Sequence, residues 1–278
     1  MRGVDEGHGL FQACAVLQHR EEGRVRRTDV LHGEGVCEAV SRSDDLQVAG
    51  LVPLSSVDWP GRLVATVFCQ GCPLRCPYCQ NSAILDNRTP GVIPWSDVEG
   101  FLKRRRGLLD GVVFTGGEAL RQEAVIPAAE SAADLGFEVG VHTSGMFPDR
   151  LERMMHVVDW VGLDVKARPE DYKKAVGVRG DKVWKTLDLV LESGIDYEVR
   201  TTVYPESLID YHFEDLVSQL KLAGVRTFAL QEARTEGTPV AFQLMAASWD
   251  RKRWEKRRRE LVECVQAAGF DRYILRIA

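Results

Sequence analysis

The chain has 278 residues, 45% of them hydrophobic and 28% charged, with a formal net charge of -5. That length allows one large α/β domain or two small ones around a sizeable core. No apolar run is long enough to span a membrane, and the negative charge balance argues against a generic nucleic-acid binder. The 7 cysteines, an odd number with four crowded together, do not form a secreted disulfide pattern. They point to thiols kept reduced in the cytoplasm.

Residues 1–47 carry His8, His19, His32, Cys14 and Cys37, many charges and no sustained periodicity. Their separations fit no familiar ligand spacing, so a poorly ordered extension is expected rather than a metal site. Asp5 and Glu6 precede the short apolar run from Leu10 to Leu17, where a secretory signal would be basic. A translation start near Leu46 or Val48 is a further reading of this segment. One catalytic domain is expected over 48–278.

From residue 60 onward, β-branched runs alternate with helical patterns, the signature of a mostly parallel sheet flanked by helices. Strands are predicted at 63–68, 111–116, 137–143, 160–166, 197–204 and 227–233. A helix over 96–106 is expected to open with a capping box from Ser96 to Glu99, and another over 121–135 to end at Gly136. The chain closes with a helix over 250–268, whose Trp254, Leu261, Val265 and Ala268 share a face, and a last strand at 273–277. Basic runs at 103–106 and 251–259 are read as solvated helix faces able to steer an acidic protein partner.

The densest chemistry lies in CQGCPLRCPYCQN, residues 69–81. Cys69, Cys72, Cys76 and Cys79 can be parsed as two C-x2-C pairs or as C-x3-C-x2-C from Cys72. A structural zinc site joins well-separated C-x2-C knuckles, and so short a spacer makes a tetrahedron hard to close. Three thiolates at the second spacing can instead hold three irons of a 4Fe-4S cube and leave one iron open. Cys69 then reads as a small buried residue ending a strand.

The C-x3-C-x2-C motif after a first strand resembles the radical S-adenosylmethionine (SAM) superfamily. The resemblance implies a partial (β/α)6 TIM-like barrel, a 4Fe-4S cluster on Cys72, Cys76 and Cys79, and SAM chelated to the open iron. It places Tyr78 beside the adenine. TGGEAL at 115–120 resembles the family's GGE motif, so Gly116 and Gly117 would approach SAM and Glu118 would accept from its amino group; Ala119 replaces the usual proline.

Within the superfamily, LDVKA resembles the D-x-K motif of glycyl-radical-enzyme activases, which implies SAM contacts from Asp164 and Lys166. Arg200 in YEVRTTVYP matches their arginine on the next strand. His142, Thr143 and Ser144 match a third-strand position that faces SAM, although a lone histidine also reads as a satisfied core residue. AGLVPLSSVDWPGRLVATVFCQGC, with its D-x-P-G turn at Asp58, Pro60 and Gly61, resembles activating proteins of anaerobic ribonucleoside-triphosphate reductase. The implied partners are that glycyl radical enzyme and an electron donor such as flavodoxin or ferredoxin. Two other readings are a radical SAM enzyme acting on a small molecule, like 7-carboxy-7-deazaguanine synthase, and a non-enzymatic zinc or iron-sulfur module using all four crowded cysteines.

Overall fold

The computed structural model describes residues 41–276. His8, His19, His32, Cys14 and Cys37 lie outside the described residues. Eight strands form one sheet in chain order: β1 (Val48–Ser55), β2 (Val64–Cys69), β3 (Gly111–Gly116), β4 (Glu138–Thr143), β5 (Trp160–Asp164), β6 (Asp196–Val203), β7 (Thr227–Glu232) and β8 (Arg272–Arg276). β1 runs antiparallel to β2, and every later pair is parallel.

Helices fill each crossover. α1 (Trp95–Lys103) follows β2, α2 (Val125–Asp134) follows β3 and α3 (Pro148–Met154) follows β4. α4 (Tyr172–Val176) and α5 (Asp181–Ser193) follow β5; α6 (Leu208–Tyr211) and α7 (Phe213–Leu222) follow β6; α8 (Val240–Ala247) and α9 (Arg251–Ala267) lead into β8. The fold is α/β of the partial TIM-barrel type. The six expected βα strands are β2–β7, and the expected last strand is β8.

β2 to β5 are buried along most of their length because sheet and helices cover both faces. β1 differs: Val52 and Leu54 are exposed, its ladder shifts register twice, and Pro53 sits where no ladder N–H is required. That interrupted edge pattern concealed β1 from the sequence reading. Helix α1 also departs from expectation. It starts at Trp95 behind Pro94 with no side-chain cap, and Glu99 accepts from Lys103 and Ser131 instead of closing a capping box. Helix α2 starts at Val125, after a separate 3-10 turn over Ala119–Arg121.

Leu46 and Gln47, assigned from sequence to the extension, pack against the barrel. Leu46 is buried, and Gln122 joins the backbone of Gln47 to that of Gln70 by accepting from the Gln47 N–H and donating to both carbonyls. At the opposite end of the barrel, Trp59, Val64, Val113 and Trp160 form a separate small cluster, with the Trp59 and Trp160 rings stacked at 5.5 Å. Among the described residues, no helix is long and apolar enough to cross a membrane.

Candidate functional site

A cavity of about 730 Å³ opens at the C-terminal ends of the strands, the face where βα barrels place their chemistry. Cys72, Cys76 and Cys79 line it; Cys69 does not. Cys69 is fully buried at the end of β2, hydrogen-bonded into the chain by its carbonyl, which accepts from Gly117 N–H at 2.9 Å. Burial, reinforced by Glu118, pushes the Cys69 and Cys72 thiols each up to about 12. Proton affinity therefore does not distinguish the two cysteines, and position does.

The residues fit the expected cluster in one respect that matters. Three thiols face one cavity from a single loop, tightened by the Cys79 N–H donating to the Cys76 carbonyl at 3.2 Å. Among the described residues, no three His, Cys, Asp or Glu side chains gather as around a single metal ion. A cube instead presents its thiolate-bearing irons at separate corners.

Asp164, Lys166 and Arg200 also line the cavity and form an ion triad. Asp164 Oδ1 accepts from Arg200 Nε at 2.7 Å and Oδ2 from Lys166 Nζ at 3.0 Å. Parallel pairing puts Asp164 opposite Arg200 in the β5–β6 ladder, which explains why residues so distant in sequence meet. Burial works against the Asp164 charge, yet Arg200 and Lys166 outweigh it and hold the carboxyl well below its usual range. Asp164 likewise holds Lys166 charged despite burial.

Tyr78 lines the cavity with Lys166 Nζ 6.0 Å from its ring centroid, within cation–π range. Its buried hydroxyl has no partner among the described residues. On its other side it meets Tyr204 and Phe242 of α8. This aromatic group was not anticipated, because α8 lacks the polar face that would mark an amphipathic helix: only Phe242 is buried, whereas Val240 and Leu244 are each 69% exposed.

The GGE segment places Glu118 in a dense set of hydrogen bonds. Glu118 is 1% exposed and does not line the cavity. Its Oε1 accepts from Leu120 N–H and Thr143 Oγ1, and its Oε2 from Ser144 N–H and Oγ, the latter two at 2.7 and 2.5 Å. Four donors fill the lone-pair sites of the carboxylate, so Glu118 braces β3 against the end of β4. Burial nevertheless raises its pKa above the ordinary value.

Gly116 and Gly117 do line the cavity, and their lack of side chains also serves the cysteine loop. A Cβ on Gly116 would fall 2.3 Å from Cys69 N and one on Gly117 2.3 Å from Gly71 O. Only glycine permits these approaches.

Thr143, Ser144 and His142 line the cavity. Thr143 and Ser144 are committed to Glu118, and His142 Nε2 lies 2.7 Å from the Asp58 carbonyl. Burial and the Arg200 charge lower His142 to about 3, so it is a neutral donor there. Sequence reasoning missed Arg276, which lines the cavity and makes a bidentate ion pair with Glu198, 1% exposed, at 2.5 and 3.0 Å. The two lie on β8 and β6, and no local motif links them.

Comparison with known proteins bears on the family and the fold. Residues 66–220 match the Radical SAM superfamily. A protein of Methanocaldococcus jannaschii named as a glycyl-radical enzyme activating enzyme is 32% identical over 68% of this chain and 82% of its own length. The pyruvate formate-lyase-activating enzyme of Clostridium pasteurianum is 27% identical over 57% of this chain and 69% of its own. Among solved structures, Streptococcus suis SuiB bound to the precursor peptide SuiA superposes with a TM-score of 0.57 at 14% identity, over 76% of this chain and 48% of SuiB. That last likeness concerns the fold. The chain belongs to the radical SAM superfamily and is homologous to glycyl-radical-enzyme activating enzymes, a membership that implies a 4Fe-4S cluster and SAM.

Proposed function

We propose that this protein generates a glycyl radical on anaerobic ribonucleoside-triphosphate reductase, drawing electrons from a carrier such as flavodoxin or ferredoxin. The observation that carries the reading is the union, in one cavity, of Cys72, Cys76 and Cys79 with the Asp164–Lys166–Arg200 triad. The homologous activating enzymes support the reaction class. The stretch AGLVPLSSVDWPGRL supports the choice of reductase through its resemblance to that enzyme's activators.

In this assignment Cys72, Cys76 and Cys79 hold the cluster, and the open iron is left for SAM. The chemistry supplied by cluster and SAM together is one-electron cleavage of SAM and removal of a Cα hydrogen from the target glycine. The chain's own contribution is binding and exclusion. Two cations against one carboxylate leave the triad with one surplus positive charge, so Lys166 and Arg200 retain donors for a ligand carboxylate. Asp164 fixes both cations before the ligand arrives, which lowers the ordering cost of binding. Tyr78 offers an aromatic face to the adenine, while the Gly116 and Gly117 backbone borders the ligand and seats the cysteine loop.

The first test is EPR. Reduced protein with SAM and the reductase should yield a carbon-centred doublet on a glycine. SAM cleavage without that doublet would favour the small-molecule reading, and absence of SAM cleavage altogether would favour a non-enzymatic module.

A further inference from the structure

The loop that carries the cysteines reaches the surface beside α4. Arg75, between Cys72 and Cys76, is exposed, and its backbone N–H donates to the Val176 carbonyl at 3.0 Å. Tyr172 anchors α4 inward: it is fully buried and its hydroxyl accepts from the Lys166 backbone N–H at 2.8 Å. Lys173 and Lys174, which follow it, are exposed.

Among the described residues, the side chains of Arg75, Lys173 and Lys174 have no hydrogen-bond or ion-pair partner. The neighbouring acids are already engaged: Glu170 and Asp171 by Arg168, and Asp181 by Arg179. A free cationic patch thus adjoins the cysteine loop of a chain whose formal net charge is -5. Electron transfer falls off steeply with distance, so a carrier must dock near the cysteines, and the polypeptide between Arg75 and Cys76 is a single peptide bond.

We infer that Arg75, Lys173 and Lys174 form the docking patch of an acidic one-electron carrier protein. The carrier is oxidised by one electron, the cluster is reduced by one, and no covalent bond changes in that step. Charge complementarity of this kind acts mainly on encounter rate and is weakened by salt. The inference rests on the functional reading above for the presence of the cluster.

The test uses the full chain with its cluster reconstituted and flavodoxin hydroquinone as the probe. Affinity is read from the anisotropy of labelled flavodoxin at low and high salt, and cluster reduction is followed by absorbance. The Lys173→Glu/Lys174→Glu double variant should bind flavodoxin about tenfold more weakly or worse and lose most of the salt dependence. Arg75→Gln should give a smaller loss of the same sign. Reduction by dithionite and affinity for SAM should match wild type in both variants. Unchanged flavodoxin affinity and reduction rate would overturn the inference, as would a double variant that loses affinity for the reductase but not for flavodoxin. A wild-type protein that holds no dithionite-reducible cluster would overturn the functional reading itself, and the inference with it.

Discussion

At the start of β5 the inward side chain is Trp160, 5% exposed and stacked on Trp59; at the end of the same strand it is Asp164, held between Arg200 and Lys166. Between them lies Gly162, where a Cβ would come within 3.0 Å of Trp160, Arg200 and His142. Strand β2 repeats the gradient. β2 runs inward from Val64 in the apolar floor through Thr66, which donates to Asp58, to Phe68 at the cavity. Because strand side chains alternate faces, one inward row builds both a dry floor and a charged site. Floor residues should therefore govern stability and rim residues should govern ligand binding.

The largest effect should come from the rim's cysteines. Cys72→Ser, Cys76→Ser and Cys79→Ser should each abolish cluster assembly, measured by iron content and EPR after anaerobic reconstitution, while Cys69→Ala retains it. Cluster loss in Cys69→Ala would erase the distinction drawn from the cavity lining. At the floor, Trp160→Ala should cost about 3–5 kcal/mol of stability in denaturant unfolding. Below its midpoint it should still bind SAM, and a large loss of SAM affinity in the folded variant would break the division between floor and rim.

Arg200→Gln should show the reverse pattern. A lost charge-assisted hydrogen bond of about 1.5–3 kcal/mol should appear as SAM affinity weakened by roughly 10- to 150-fold, with the cluster still assembled. Glu118→Gln sharpens the boundary, since Glu118 sits beside the rim yet outside the cavity. Replacing one acceptor oxygen with a donor should cost about 1–3 kcal/mol of stability, and SAM affinity in the folded protein should change little. A selective loss of SAM affinity would instead show the direct contact expected from the GGE motif.

The smallest effect concerns pH. His142 is lowered to about 3 in the fold, from an ordinary value of 6.5. Between those values the unfolded chain binds more protons, so the contribution of His142 to stability is present above 6.5 and is lost as pH falls toward 3. By pH 5.5 the loss should be about 1.4 kcal/mol, visible as an acid limb in urea midpoints that His142→Gln flattens. An unchanged acid limb in that variant would mean that His142 does not titrate as a buried neutral group.

The parts of this molecule legible in its sequence are those where local pattern and burial coincide. β2 to β7 announced themselves because strands covered on both faces become β-branched apolar runs, and the cysteine loop because its ligands are local. Asp164, Lys166 and Arg200 were legible by resemblance, and the β5–β6 register supplies the physical reason they meet. β1 was hidden by its exposed edge and Pro53, and α8 by an apolar composition that it leaves largely in solvent. The Glu198–Arg276 pair had no local signal, because its members lie far apart in sequence on β6 and β8, with β7 between them. The GGE motif was recognised while the orientation of Glu118 was not, since that depends on Thr143 and Ser144 arriving from the next strand.

The central claim is that the hydrogen removed belongs to a glycine of the partner enzyme. Its most direct test supplies the anaerobic reductase deuterated at glycine Cα to the reduced protein with SAM, and weighs the 5'-deoxyadenosine formed. The account predicts deuterium in that product, with incorporation lost when the target glycine is replaced by alanine. Vigorous SAM cleavage giving 5'-deoxyadenosine free of deuterium would contradict it.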